Sequence, residues 1–105
     1  MTCALFVHTL LMSYRWDQYK AHQNWIKHRI DFADAIGVLE DEWALTIKGE
    51  WKNGEQRFST LGMDLQLRIV VVTYTWREED IRLISARKAT KKERQVYEQK
   101  RGTRF

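Results

Sequence analysis

The sequence predicts an α+β domain: two N-terminal helices, a four-stranded, mainly antiparallel sheet and a basic C-terminal helix. Three observations point there. Apolar residues recur at helical spacing as far as Leu39, the period changes from near 3.6 to 2 at Trp43, and Thr90-Lys91-Lys92-Glu93 opens a last helix. At 105 residues the chain has material for one core, since folding at this size buries roughly 60–65% of the surface that the unfolded chain exposes.

Each element has a local cause. Asp17 is placed as a helix N-cap, its carboxylate accepting from free amides of the first turn. Ala21, Trp25 and His28 then fall at i, i+4 and i+7, one face of a helix from about Asp17 to His28. Asp31, with Asp34 three residues on, starts a second helix in which Phe32, Ala35, Ile36 and Leu39 repeat at helical spacing. Both helices are amphipathic, so each needs a sheet face to lie on. Trp43, Leu45 and Ile47 alternate with Ala44, Thr46 and Lys48 as in a half-buried strand. Asn53-Gly54 signals a hairpin, because both turn positions take positive φ, and Gln56 to Leu61 returns as the second strand, ending at Gly62. The run from Leu67 to Trp76 is apolar on both faces and β-branched, which places it in the sheet centre. Arg77 to Asp80 is a charged turn, and Ile81 to Ala86 makes the fourth strand.

Thr90 at N-cap and Glu93 at N3 fit a capping box for a helix running to about Lys100. Its sizeable apolar side chains are Val96 and Tyr97, so it is expected to be the least stable element. Trp25, Trp43 and Trp76 are expected in the core. The apolar run from Cys3 to Met12 is too short for a bilayer span of about 20 residues. It also lacks the basic front and small-residue cleavage site of a secretory signal. An edge strand and an unstructured extension are the two readings it leaves.

Composition narrows the function. Apolar residues at 44% and charged residues at 30% belong to a globular protein, and the absence of proline excludes proline-rich linkers. Cys3, the single cysteine, excludes an intramolecular disulfide and a cysteine zinc site, and makes a reducing, cytoplasmic home the expectation. The net charge is +4, unevenly spread. Residues 85–105 hold eight Lys/Arg and two acids, a surplus of six that leaves the body at −2. An anionic partner is the first functional implication.

The three histidines, His8, His22 and His28, form no i, i+4 pair and have no carboxylate at a ligand spacing, so no metal site and no cofactor are expected. No Ser stands in a Gly-x-Ser-x-Gly turn, and the five glycines are scattered singly, which excludes a Gly-rich phosphate loop. What remains is a set of cations on structured elements: Lys20, Lys27 and His28, then Arg57, Arg82, Arg87 and Lys88. Such a set suits RNA. Arginine offers a planar fork that matches phosphate oxygens, and histidine titrates near neutrality as an acid or base for the 2′-hydroxyl proton or the leaving 5′-oxygen. Plainer readings stand beside these. His28 lies on the apolar face as a packing residue, Arg57 and Arg82 are solvent-face strand arginines, and the basic tail is a solvated helix.

Several segments resemble the BrnT family of bacterial toxins, small RelE-like ribonucleases held inactive by a BrnA antitoxin. They are Trp16-Asp17, Lys20-Ala21, Asn24, Lys27-His28, Phe32-Ala33-Asp34-Ala35, Val38, Ala44 to Ile47, Glu55 to Phe58 and Leu61-Gly62. The longest is Ile81 to Thr90, followed by Glu93-Arg94 and Tyr97. The glycine that usually follows the Lys-His pair is Arg29 here. The resemblance implies a cytoplasmic, metal-independent endoribonuclease toxin that blocks translation, with a BrnA-like antitoxin as partner. Operator DNA would be met only through the antitoxin complex, and no membrane is involved. His28, Arg57 and Arg87 are the candidate catalytic residues: His28 in proton transfer, the two arginines on the scissile phosphate. Lys20, Lys27, Arg82, Lys88 and Lys91 are the candidate RNA-binding residues. Family members commonly open a few residues before Trp-Asp, so residues 1–12 read as an extension, 13–101 as the toxin domain and 102–105 as a tail. Residues 1–11 are expected to be dispensable. The alternative is a non-catalytic binding module, a degenerate toxin acting within an autorepressor complex.

Overall fold

A computed structural model describes residues 4–8, by their backbone, and residues 13–102. Along the chain run β1 (Ala4–His8), β2 (Ser13–Asp17), α1 (Gln18–His28), α2 (Phe32–Leu39), β3 (Leu45–Lys52), β4 (Glu55–Met63), β5 (Ile69–Arg77), β6 (Asp80–Lys88) and α3 (Lys91–Gly102). The strands form one sheet in the order β1-β2-β6-β5-β4-β3. All pairs are antiparallel except β2 with β6, which is parallel over Ser13 to Arg15.

The α+β class and both helices of the N-terminal half are as expected, but the sheet is mixed and has six strands among the described residues, not four. β2 escaped notice because it is five residues long and its one alternating pair, Tyr14 and Trp16, runs straight into the helix cap. Both side chains are buried. β1 is an edge strand paired to β2 from Ala4↔Asp17 to His8↔Ser13, the first of the two readings of the N-terminal run.

Local signals explain most boundaries. The Asp17 side chain accepts from Tyr19 N–H and that of Asp31 from Ala33 N–H, capping α1 and α2. Asn53 and Gly54 take φ of 53° and 78°, as the β3–β4 hairpin requires. Thr90 and Glu93 close a reciprocal capping box: Glu93 N–H donates to the Thr90 hydroxyl, and Thr90 N–H to the Glu93 carboxylate.

The sheet has an apolar layer on each face. One cluster packs Tyr14, Trp16, Val70, Val72 and Leu83 against Ile30, Phe32, Ala35 and Val38 of the α1–α2 region. The other joins Leu61 and Val71 to Ala89 and Tyr97. β5 therefore buries side chains on both faces, as a central strand should.

Three tryptophans were expected inside, and two are not. Trp25 is 44% and Trp76 50% exposed, while Trp43 is half-buried against the second cluster. For Trp25 the reason is polar. α1 is rotated so that Asn24, not Trp25, faces the sheet: its amide donates to the carbonyls of Ala86 (2.9 Å) and Ile30 (3.0 Å) and accepts from Ala86 N–H (3.0 Å). β2 pairs with β6 only over Asp80 to Arg82. Further along, no strand pairs with this β6 edge among the described residues, and Asn24 supplies the missing donor and acceptor. Trp25 instead lies under the Arg29 guanidinium, 5.6 Å from its ring centre.

Candidate nucleic-acid site

Residues directly opposite on neighbouring strands share a face, so the register sorts the α3 side of the sheet into rows. The row farthest from α3 reads Glu50, Arg57, Thr75, Arg82 and Arg15 across β3, β4, β5, β6 and β2. The next reads Lys48, Ser59, Thr73 and Ser85, and the third Leu45, Leu61, Val71 and Arg87. α3 lies over the apolar part of the third row through Tyr97. It leaves the cationic and hydroxyl rows open, and a cavity of about 440 Å³ is the result, lined by Lys48, Glu50, Arg57, Ser59, Thr73, Arg87 and Glu93, with Ile47 and Val71.

Arg57 and Arg87 thus meet in one pocket from separate strands. Each guanidinium is oriented by a carboxylate. Arg57 Nε and Nη2 both lie 3.1 Å from Glu55 Oε2, and Arg87 donates from Nη1 and Nη2 to the two oxygens of Glu93 at 2.9 and 3.0 Å. That fork-to-fork pair holds the Glu93 carboxyl down to about 2 and raises Arg87, chiefly through the hydrogen bonds themselves. Lys48, 3.0 Å from Glu50, lowers Glu50 in the same way. Ser59 and Thr73 hydroxyls share a 3.0 Å bond on the floor between the arginines.

A second groove, about 210 Å³, runs where α1 covers the β6 edge, lined by Lys20, Gln23, Asn24, Lys27, His28, Ile84 and Ser85. Ser85 stands opposite Thr73 of the first pocket, so the two cavities adjoin across β6. No acid lines this groove among the described residues. Burial first, then the charges of Lys27 and Arg87, lower the His28 pKa. The shift favours the neutral imidazole, whose ring nitrogen can accept a proton.

The family-model comparison gives a match over residues 16–93 to the ribonuclease toxin, BrnT, of type II toxin–antitoxin systems. This chain belongs to that family. The stretch matched holds both arginines, Glu93 and the whole of the second groove. Among solved structures, the 1.1 Å crystal structure of the Brucella abortus ribonuclease toxin BrnT is similar, with 26% identity and a TM-score of 0.56, covering 72% of this chain and 94% of that one. A search of curated proteins gives no significant match. Membership of the BrnT family makes the chain a ribonuclease toxin of the type II class and implies an antitoxin partner.

Placed on this BrnT fold, the sequence-derived candidates fall into three groups. Arg57 and Arg87 share the first pocket, and Lys20, Lys27 and His28 share the second. Arg82 stands in the Arg57 row, two strands away. Lys88 and Lys91 line neither cavity: Lys88 alternates to the sheet face opposite Arg87, and Lys91 is exposed on the first turn of α3. Glu50, Ser59, Thr73 and the pairing role of Glu93 were missed. Period-2 alternation puts Arg57 with Ser59 and Thr73 with Thr75, but only the register brings those pairs side by side. Among the described residues no helix is long and apolar enough to cross a membrane.

Proposed function

We propose that this chain is a metal-independent endoribonuclease that arrests translation by cutting RNA and is neutralised by a BrnA-like antitoxin. The observation that carries the reading is the convergence of Arg57 and Arg87 on one hydroxyl-floored pocket. There Glu93 already fills, with a carboxylate, the bidentate position that a phosphate would take. In the reaction, the 2′-oxygen attacks the adjacent phosphorus, the bond to the 5′-oxygen breaks and that oxygen takes a proton from water, leaving a 2′,3′-cyclic phosphate and a 5′-hydroxyl. His28, in its neutral form in the adjoining groove, takes the 2′-hydroxyl proton, which is the step its lowered pKa suits. The arginines stabilise the charge that builds on the phosphorane oxygens. Lys20 and Lys27 guide the flanking strand past β6, with Arg82, Lys88 and Lys91 outside the pockets adding long-range attraction. Operator DNA is met through the antitoxin complex, and the chain works in the cytoplasm with a RelE-like mode of action.

Purified protein incubated with RNA in EDTA tests the proposal. New 5′-hydroxyl and cyclic-phosphate ends are expected; intact RNA after long incubation would reject it. A second reading has one observation in its favour: both pocket arginines are neutralised by Glu55 and Glu93. A non-catalytic binding module would keep them so, and would show RNA retention without new ends.

A further inference from the structure

Just beyond the third row, the β4–β5 loop holds two leucines out in water. Leu65 is 64% and Leu67 77% exposed, and Leu67 sits at φ 63°, a backbone region that side chains with a Cβ avoid. The loop is not loose. The fully buried Asp64 carboxylate accepts from Gln66 N–H, Arg68 N–H and the Arg68 guanidinium. Leu65 N–H donates to the Asp34 carbonyl of α2 at 3.0 Å. Gly37 lets the loop lie flush on α2, since a Cβ there would stand 2.8 Å from Leu65 N. Strain kept in place by a clamp, with apolar side chains facing outward, is a feature that folding alone does not reward.

We infer that the groove between this loop and α3 is a docking site for a cationic amphipathic polypeptide segment. The groove has a volume of about 490 Å³ and offers Trp43 and Met63 beside the two leucines. Its rim carries Glu40, Asp41 and Glu42 in succession, against the single lining cation Arg101 among the described residues, while the charge of Asp64 below is already paired with Arg68. Asp41 is committed to the Tyr97 hydroxyl and Met63 N–H, and Glu40 accepts from the Tyr14 hydroxyl. Their charge nonetheless stays at the rim, and Glu42 extends it. Lys or Arg on a partner is attracted to these carboxylates. A segment with Leu-type side chains on one face would cover the leucines and Trp43, as an amphipathic helix does in an apolar groove. The inference does not rest on the nuclease reading, because the Arg57–Arg87 pocket shares no residue with this groove. Tyr97 lines the groove, and Glu93 one turn earlier holds Arg87, so α3 touches both.

The test uses the full chain and a fluorescein-labelled 14-residue peptide of Leu and Lys at helical spacing, with a Leu/Glu peptide of the same pattern as control. Fluorescence anisotropy is expected to show binding of the Leu/Lys peptide alone, at least tenfold weaker in Leu65→Ser/Leu67→Ser, weaker in Glu42→Lys, and unchanged in Arg57→Ala. Leu67→Gly separates docking from folding: its urea midpoint is expected to rise, as the strained φ is relieved, while peptide affinity falls several-fold. Equal binding by the double serine variant, equal binding of the Leu/Glu peptide, or loss of binding in Arg57→Ala would overturn the inference. So would a lower urea midpoint for Leu67→Gly, which would make Leu67 a packing residue.

Discussion

Removing the Asn24 side chain is expected to damage this fold more than removing that of Trp25, the half-exposed tryptophan of α1. The amide makes three buried hydrogen bonds, two of them to the backbone of Ala86 on the β6 edge. Asn24→Ala strands the Ala86 N–H and two carbonyls where water reaches poorly. At about 1 kcal/mol net for each bond, and up to about 3 where a buried group is left without a partner, the loss is about 3 kcal/mol. A domain of this size has about 5–15 kcal/mol in all, and each kcal/mol moves its Tm by roughly 4–8 °C, so the melting point should fall by about 12–24 °C. Urea unfolding followed by tryptophan fluorescence measures the change, with an unaltered slope showing that the unfolded state is not the cause. Asn24→Asp keeps the acceptor for Ala86 N–H, lacks both donors and turns a charge toward two carbonyls, so it should be at least as harmful. A loss below about 1 kcal/mol for Asn24→Ala, or wild-type stability in Asn24→Asp, would refute the claim that this amide stands in for a missing strand.

Four further outcomes follow from the same geometry. The Glu93 carboxyl is held to about 2 against an ordinary 4.5; a depressed carboxylate contributes stability above its unfolded pKa and loses it as pH falls toward the folded one. Wild type should therefore weaken between about pH 5 and 2, and acid titration of Glu93→Gln should show a smaller fall over that window. The lowered His28 pKa puts the acidic limb of the cleavage pH–rate profile below 6.5, with the rate rising as His28 loses its proton; that limb should disappear in His28→Ala. RNA affinity should fall steeply with added salt, and Lys27→Ala should flatten the dependence, as read from filter binding across a salt series. A chain beginning at Met12 should remain soluble and keep its cleavage rate; insolubility would give β1 a structural role that the toxin cannot lose.

How much of this was legible beforehand depends on whether the signal was local. Asp17, Asp31, Thr90 with Glu93 and Asn53-Gly54 each act within four residues, and each did what its chemistry required. Trp25 misled because hydrophobic spacing assumes that the most apolar residue turns inward, whereas Asn24 had an unpaired strand edge to satisfy. Arg57 and Arg87 could be picked out as chemistry-bearing residues, but their meeting is a property of the β4-β5-β6 register. Glu93 was visible as a cap and hidden as the partner of Arg87, six residues away across a helix start. Leu67 read as the first residue of a central strand; the Asp64 clamp places it in a turn instead.

The central claim is that Arg57 and Arg87 act on one phosphate. The most direct measurement is the single-turnover cleavage rate of a defined RNA in EDTA for Arg57→Ala, Arg87→Ala and the double variant, each checked for folding by circular dichroism. The account predicts a loss of about 100-fold or more for each single variant, and a double variant little worse than the singles because both arginines serve the same group. Rates within a few-fold of wild type for either single variant would contradict it.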